Sequence, residues 1–370
     1  MHIYHIFRAT MKHQGEIPFI HILRAMAPLP VMWAHLALMA EWQYHGTWLP
    51  LTLFDRMVAG PLHLYQSGGH LGVIVFFLIS GYIISHVAER EERMFFAVKR
   101  VFRLFPALIV AITILSILNT VGSISRPHIK VTDYLLSMFL LDQFFWPQAT
   151  VLQVTWTLFP EVVFYAIVCA FMPLIKVRPV ASTFTLALTS YLVVALTDLS
   201  GNAPSHTSHL GYLPIFIVGR VFFLVQNGKM AKEVALAFIA FSLLILYGTF
   251  AAIWPDQMWN DPRKPWTYPL AIVIFYCCML WNPQTMPKAV RFLGNISYSL
   301  YLIHVPVGWF IMDKVQPLAG FTIGFIASVA ASILAAWLIY TRIEVPGRVF
   351  GRKVITNLEI KRKGLANAEG

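Results

Sequence analysis

Apolar runs with few charges alternate with short polar segments along the whole chain. Runs long enough to span occur at roughly 19–40, 70–88, 102–121, 157–175, 179–198, 208–226, 234–253, 266–282, 292–312 and 317–341. Each is close to the ~20 residues that a hydrocarbon core of about 30 Å requires. The pattern predicts an all-α polytopic membrane protein of about ten transmembrane helices. A further apolar run at 133–145 contains Asp133 and Asp142 and is too short to span. It is expected to form a short helix on, or dipping into, the outer side. The stretch 342–370 is polar and basic, ending in KRKGLANAEG, and reads as a cytoplasmic tail. Residues 1–341 then form one transmembrane domain, with no internal repeat.

Loop charges set the expected orientation. With the N-terminus in the cytoplasm, the inside segments hold 19 of the 28 lysines and arginines and the outside loops hold six. Arg24, Arg103 and Arg220 lie within helices. That bias follows the positive-inside rule and predicts both termini in the cytoplasm. A spanning helix at 133–145 would break the alternation. Composition agrees: 58% of residues are hydrophobic and 12% charged, against about 25% charged in soluble domains. The net charge of +11 is expected on loops facing the cytoplasm. It forms no basic stripe interleaved with aromatics, so no nucleic-acid partner is expected. Cys169, Cys277 and Cys278 all fall in apolar segments, where packing explains them. The first 18 residues show no signal-peptide pattern, so the first helix is expected to direct insertion.

Candidate chemistry comes from polar residues inside the spans. A charge at the centre of a membrane helix costs on the order of 2.5–3.5 kcal/mol on insertion scales, so such residues point to function. In the first span Arg24 and His35 are eleven residues apart. Eleven steps of ~100° end about 20° past three turns, which puts both on nearly one face, ~16 Å apart along the axis. Pro28 and Pro30 lie between them and perturb that alignment. Arg100 and Arg103 share a face at the start of the third span. With Arg24 they make a basic pocket suited to phosphate. Arg220 is a weaker member, expected to snorkel. Glu161 is the only charge in the apolar part of its helix, at a depth comparable to His35. A His35–Glu161 pair would orient the imidazole as a general base. Ser297, Tyr301 and His304 share one face of the ninth span, which makes His304 a further catalytic candidate. His45, His63 and His70 have no familiar zinc spacing, and no metal is expected.

Six motifs occur in order: Arg24-x10-His35; Gly72 with FFLISGY at Phe76–Tyr82; RVFR at Arg100–Arg103 with Pro106; WTLFPEVVFY at Trp156–Tyr165; GNISYSLYLIH at Gly294–His304; and IEVP at Ile343–Pro346. Together they resemble the membrane acyltransferase family three. The resemblance implies a ten-helix enzyme of the inner membrane. It would move an acyl group, commonly acetyl, from cytoplasmic acyl-CoA to a hydroxyl of a carbohydrate or glycolipid, such as exopolysaccharide or lipopolysaccharide. It carries the family's essential arginine and histidine to Arg24 and His35, its arginine pair to Arg100 and Arg103, and its glutamate to Glu161. Some members carry an additional extracytoplasmic domain, so a separate extracytoplasmic transferase partner is a further expectation. Acyl transfer to a non-carbohydrate hydroxyl such as a macrolide's stays open. So does transport of an anionic small molecule, because intramembrane Arg, Glu and His also mark substrate pathways.

Overall fold

A computed structural model describes residues 17–121, 130–143, 151–199, 207–253, 261–283 and 285–368. The first span is a pair of helices, α1 (Pro18–Met26) and α2 (Pro28–Ala37), joined at Ala27. Pro28 and Pro30 have no N–H to give the ladder, which accounts for the break. Then follow α3 (Gly69–Ala88), α4 (Arg93–Thr120), α5 (Val131–Met138), α6 (Leu158–Val177), α7 (Pro179–Leu199), α8 (Leu213–Gln226), α9 (Lys232–Ile253), α10 (Arg263–Trp281), α11 (Lys288–Ala319), α12 (Phe321–Ile339) and α13 (Val345–Ala368). No strand occurs among the described residues, so the fold is all-α.

Eight stretches among the described residues are long and apolar enough to cross a membrane. The other two predicted spans are α10 and α11, of 19 and 32 residues. Both are helices of sufficient length packed into the bundle. Their lower hydropathy has a cause in α11, which buries Ser297, Ser299, Tyr301 and His304 toward neighbouring helices rather than toward lipid. The short run at 133–145 begins within α5, whose eight residues reach only about 12 Å. It lies against α4, where Asn119 donates to the Tyr134 hydroxyl at 3.0 Å. Ser137 closes the turn after it by donating to Asp142 at 2.8 Å.

The centre of the bundle is α3, which packs on α8, α2 and α10. Its contact with α8 is backbone on backbone. A Cβ at Gly81 would lie 2.0 Å from the Phe216 carbonyl oxygen, and one at Gly219 would lie 2.2 Å from that of Leu78. Small residues allow this approach, and packing drives helix association in lipid. α11 and α12 form a hairpin that turns at Gly320, where φ is +81°. The basic stretch after residue 341 continues as helix. A π-helical turn at Tyr340–Glu344 leads into α13, which packs on α4 with Gly347 and Gly351 against Pro106 and Phe102. Its first turns therefore belong to the bundle and help to build the site.

Candidate active site

Three cavities run in series through the bundle. The first lies at the end where α1 begins and α13 emerges. It is a cleft of about 950 Å³, solvent at its mouth included, walled by Arg24, Arg100, Arg103, Glu344 and Arg348 among others. Arg100 and Arg103 are three residues apart on α4, which turns both to the same side. Arg100 is only 8% exposed. Its guanidinium lies 5.3 Å from the Phe96 ring centre and 5.8 Å from that of Tyr165. Its Nε and Nη1 have no hydrogen-bond partner. Arg103 makes no direct hydrogen bond among the described residues, and Arg24 makes one, to Ser297 Oγ at 3.3 Å. Glu344 is the only carboxylate in this wall among the described residues. It accepts from the Ser299 N–H at 3.1 Å and the Ser299 hydroxyl at 2.6 Å, and it pairs with Arg348 at 3.6 Å. The acid is thus engaged by α11 and α13, and the arginines keep open donors toward the cavity.

Arg24, Arg103 and Tyr298 also wall the second cavity, the narrowest at about 590 Å³. Phe76, Phe77, Ile79, Leu104 and Leu158 make it largely apolar. Glu161 lies here, in the first turn of α6. Its Oε1 accepts from Ser80 Oγ at 2.8 Å and from the Tyr165 hydroxyl.

Val73 and Tyr301 separate the second cavity from the third, which encloses about 1070 Å³ at the opposite end. His35 is in its wall. The His35 Nδ1 lies 2.9 Å from His304 Nε2. His304 Nδ1 lies 3.0 Å from the Leu300 carbonyl oxygen, and a carbonyl only accepts. The proton of neutral His304 is therefore on Nδ1, which leaves a lone pair on Nε2. His35 must then donate from Nδ1, and its own Nε2 carries a lone pair. Trp309 Nε1 donates to the His35 carbonyl at 3.1 Å and steadies this turn of α2. The pair is a buried histidine that holds a second histidine in its basic tautomer.

This arrangement corrects one expectation. Glu161 does not orient His35: the carboxylate is held by Ser80 and Tyr165 in the middle cavity, and the partner of His35 is His304. Arg24 and His35, expected at different depths of the first span, line different cavities. The snorkelling expected of Arg220 is also replaced. Arg220 is fully buried and donates to Thr183 Oγ1, Ser182 Oγ and the Pro179 carbonyl at 2.7–3.2 Å, fastening α8 to the start of α7. Arg24, Arg100 and Arg103 all line the first cavity. Glu344, His70 and Lys264 line cavities without having been singled out for them. For Glu344 the signal was available: it is a lone acid among basic residues directly after the last apolar run.

The Acyltransferase domain family model matches residues 17–341. A protein of Komagataeibacter xylinus, BcsY, provisionally named as a membrane-bound transacylase, is 26% identical over 267 residues, covering 65% of this chain and 67% of that protein. No solved structure matches the chain. The family match extends from the start of α1 to the π-helical turn and so takes in Arg24, Arg100, Arg103, Glu161, His35 and His304. It favours acyl transfer over transport as the activity of the chain. The chain belongs to the membrane acyltransferase family three and is a multi-pass membrane acyltransferase.

Proposed function

We propose that this acyltransferase takes an acyl group, acetyl in the first instance, from cytoplasmic acyl-CoA and places it on a hydroxyl of a surface carbohydrate. Its membrane would be the inner membrane, with the arginine-lined cavity facing the cytoplasm. One observation carries the donor assignment. Three arginines converge on one cavity, and the most buried of them, Arg100, has two N–H groups without a partner. Buried donors without partners are costly unless a ligand satisfies them. Guanidinium forks fit phosphate oxygens, and coenzyme A carries several phosphates. The transacylase name of BcsY agrees with group transfer and does not identify donor or acceptor.

The roles follow from the cavities. Arg24, Arg100 and Arg103 hold the donor's phosphates. The apolar middle cavity admits the arm that carries the thioester. The acceptor hydroxyl enters from the opposite end. The basic Nε2 of His35 takes the hydroxyl proton while the oxygen attacks the thioester carbonyl carbon. The C–S bond breaks, and the sulfur leaves as a thiol once it is protonated. His304, by accepting from His35 Nδ1, keeps the lone pair on Nε2 until the hydroxyl proton is taken, and the Nε2 proton then passes to the leaving sulfur. Glu161, with Ser80 and Tyr165, sets the electrostatics beside Arg103. Membranes containing wild type or His35→Ala, given radiolabelled acetyl-CoA, test the reading. Label should appear in envelope glycans only with wild type. Full labelling by well-inserted His35→Ala would remove His35 from the chemistry.

A further inference from the structure

The wall between the middle and third cavities is made by few residues. Val73 of α3 and Tyr301 of α11 face the middle cavity on one side and the third cavity on the other. Each is 6% exposed. Tyr301 is three residues before His304 on the same helix, and their ring centres are 6.0 Å apart. The wall therefore stands beside the histidine pair.

The tyrosine is fastened from outside its own helix. Thr157 Oγ1 donates to the Val154 carbonyl at 2.9 Å, so in its 2.9 Å contact with the Tyr301 hydroxyl the tyrosine is the donor. The hydroxyl also lies 3.4 Å from the Val154 carbonyl oxygen. The ring meets Phe76 of α3 edge to face, with centres 5.4 Å apart. Val154 and Thr157 belong to the 3-10 turn Gln153–Thr157 that leads into α6, and Gln153 and Trp156 of the same turn line the third cavity. Burial alone asks only that a tyrosine hydroxyl find some partner. The place of the ring, between two cavities and next to His304, is what gives it a further role.

A basic imidazole activates water as well as a sugar hydroxyl. Water reaching the thioester from the third cavity would attack the carbonyl carbon and break the C–S bond, giving acetate, the free thiol and one proton. Closed sites prevent such side reactions by keeping water out. We infer that Tyr301, latched by Thr157 and flanked by Val73 and Phe76, sets transfer over hydrolysis: it shuts the donor's thioester in the middle cavity, away from the water of the third. Transfer follows only when the ring turns aside. The group that waits behind the wall rests on the acyl-transfer reading above; the wall itself does not.

Two readouts on the full chain test this. The first needs no acyl-CoA. Ile79 lines the middle cavity. Ile79→Cys, combined with Cys169→Ser, Cys277→Ser and Cys278→Ser, is placed in proteoliposomes of one orientation and treated with a membrane-impermeant methanethiosulfonate from either face. With Tyr301 present, labelling should come from one face only. Tyr301→Ala should speed labelling from the second face at least tenfold. Tyr301→Phe, which keeps the ring and loses the latch, should speed it at least threefold and decides alone if the alanine variant does not fold. Equal labelling from both faces with Tyr301 present overturns the inference, as does a second-face rate unchanged in the folded variants. The second readout is acetate released from radiolabelled acetyl-CoA without added glycan, which Tyr301→Ala should raise at least tenfold over wild type. Unchanged release by a variant labelled from both faces, beside wild type that acylates envelope glycans, also overturns the inference. The expected labelling, with neither acetate release nor glycan acylation in any preparation, removes only the donor assignment.

Discussion

Replacing His304 with alanine separates an orienting histidine from a reacting one. In the wild type, the 2.9 Å contact fixes His35 with its proton on Nδ1 and its lone pair on Nε2. Loss of the acceptor leaves the His35 N–H without its partner and lets the ring turn or change tautomer. A net hydrogen bond is worth about 0.5–1.5 kcal/mol, and leaving a buried donor unsatisfied costs about 1–3 kcal/mol. At about 1.4 kcal/mol per tenfold, the range from 1 to 3 kcal/mol corresponds to a loss of roughly 5- to 150-fold in kcat. The KM for acyl-CoA should hold, because His304 does not line the arginine cavity. His35→Ala removes the base itself and should cost about 10²–10⁴-fold. His304→Gln can offer an amide oxygen to His35 and should recover part of the loss. The assay is steady-state acyl transfer by nanodisc-embedded protein, with melting temperature as the check on folding. A loss in His304→Ala as deep as that in His35→Ala, with no recovery in His304→Gln, would refute the orienting role and make His304 a participant in the chemistry.

Arg100→Ala should raise KM for acyl-CoA roughly 10- to 150-fold, from about 1.5–3 kcal/mol per hydrogen bond to a charged group, with a smaller effect on kcat. Titration of donor binding at two salt concentrations checks this, and an unchanged KM would move the phosphates elsewhere. Gly81→Ala should destabilise the α3–α8 contact by at least the ~1–3 kcal/mol typical of overpacking, because the new methyl would meet the Phe216 carbonyl oxygen at 2.0 Å. Thermal unfolding in detergent measures it, and a melting temperature equal to wild type would argue against so close a crossing. Arg220→Ala should lower stability by about 2–5 kcal/mol, in the range of large-to-small core substitutions, while KM for acyl-CoA stays unchanged, since Arg220 lines neither the basic nor the middle cavity.

The helices were legible because membrane spans must be both long and apolar, a requirement local to the sequence. Ten predicted runs correspond to the helices observed, and the kink at Pro28 is written in the residues themselves. The arginine cluster was legible for a related reason: charges inside apolar runs are rare and stand out. Pairing was not legible. His35 and His304 are 269 residues apart, and periodicity gives the face a residue occupies on its own helix, not the helix that face meets. Depth alone suggested Glu161 as the partner of His35. The structure assigns Glu161 to Ser80 and Tyr165 because α3 packs against α6 there. The docking of α13 was hidden by its composition, because a basic polar helix reads as a tail until Gly347 and Gly351 are seen against α4.

The division of polar groups between the two ends has a physical logic. Full charges gather in the basic cavity, where Arg24, Arg100 and Arg103 face space that a polyanion can fill. Burying a cation is costly while it stands alone and much less so once a counter-charge arrives. If an acyl-CoA donor fills this cavity as proposed, its phosphates offset the insertion cost of these arginines. At the turn of α2 and α11 the sequence uses two imidazoles instead. A neutral pair that shares one proton needs no counter-charge and can wait in the bundle without a ligand. A His–Glu pair at that depth would have placed a carboxylate, with its desolvation cost, in the wall that His35 lines. With Glu161 kept in the middle cavity beside Arg103, the turn that holds His35 and His304 carries no carboxylate partner.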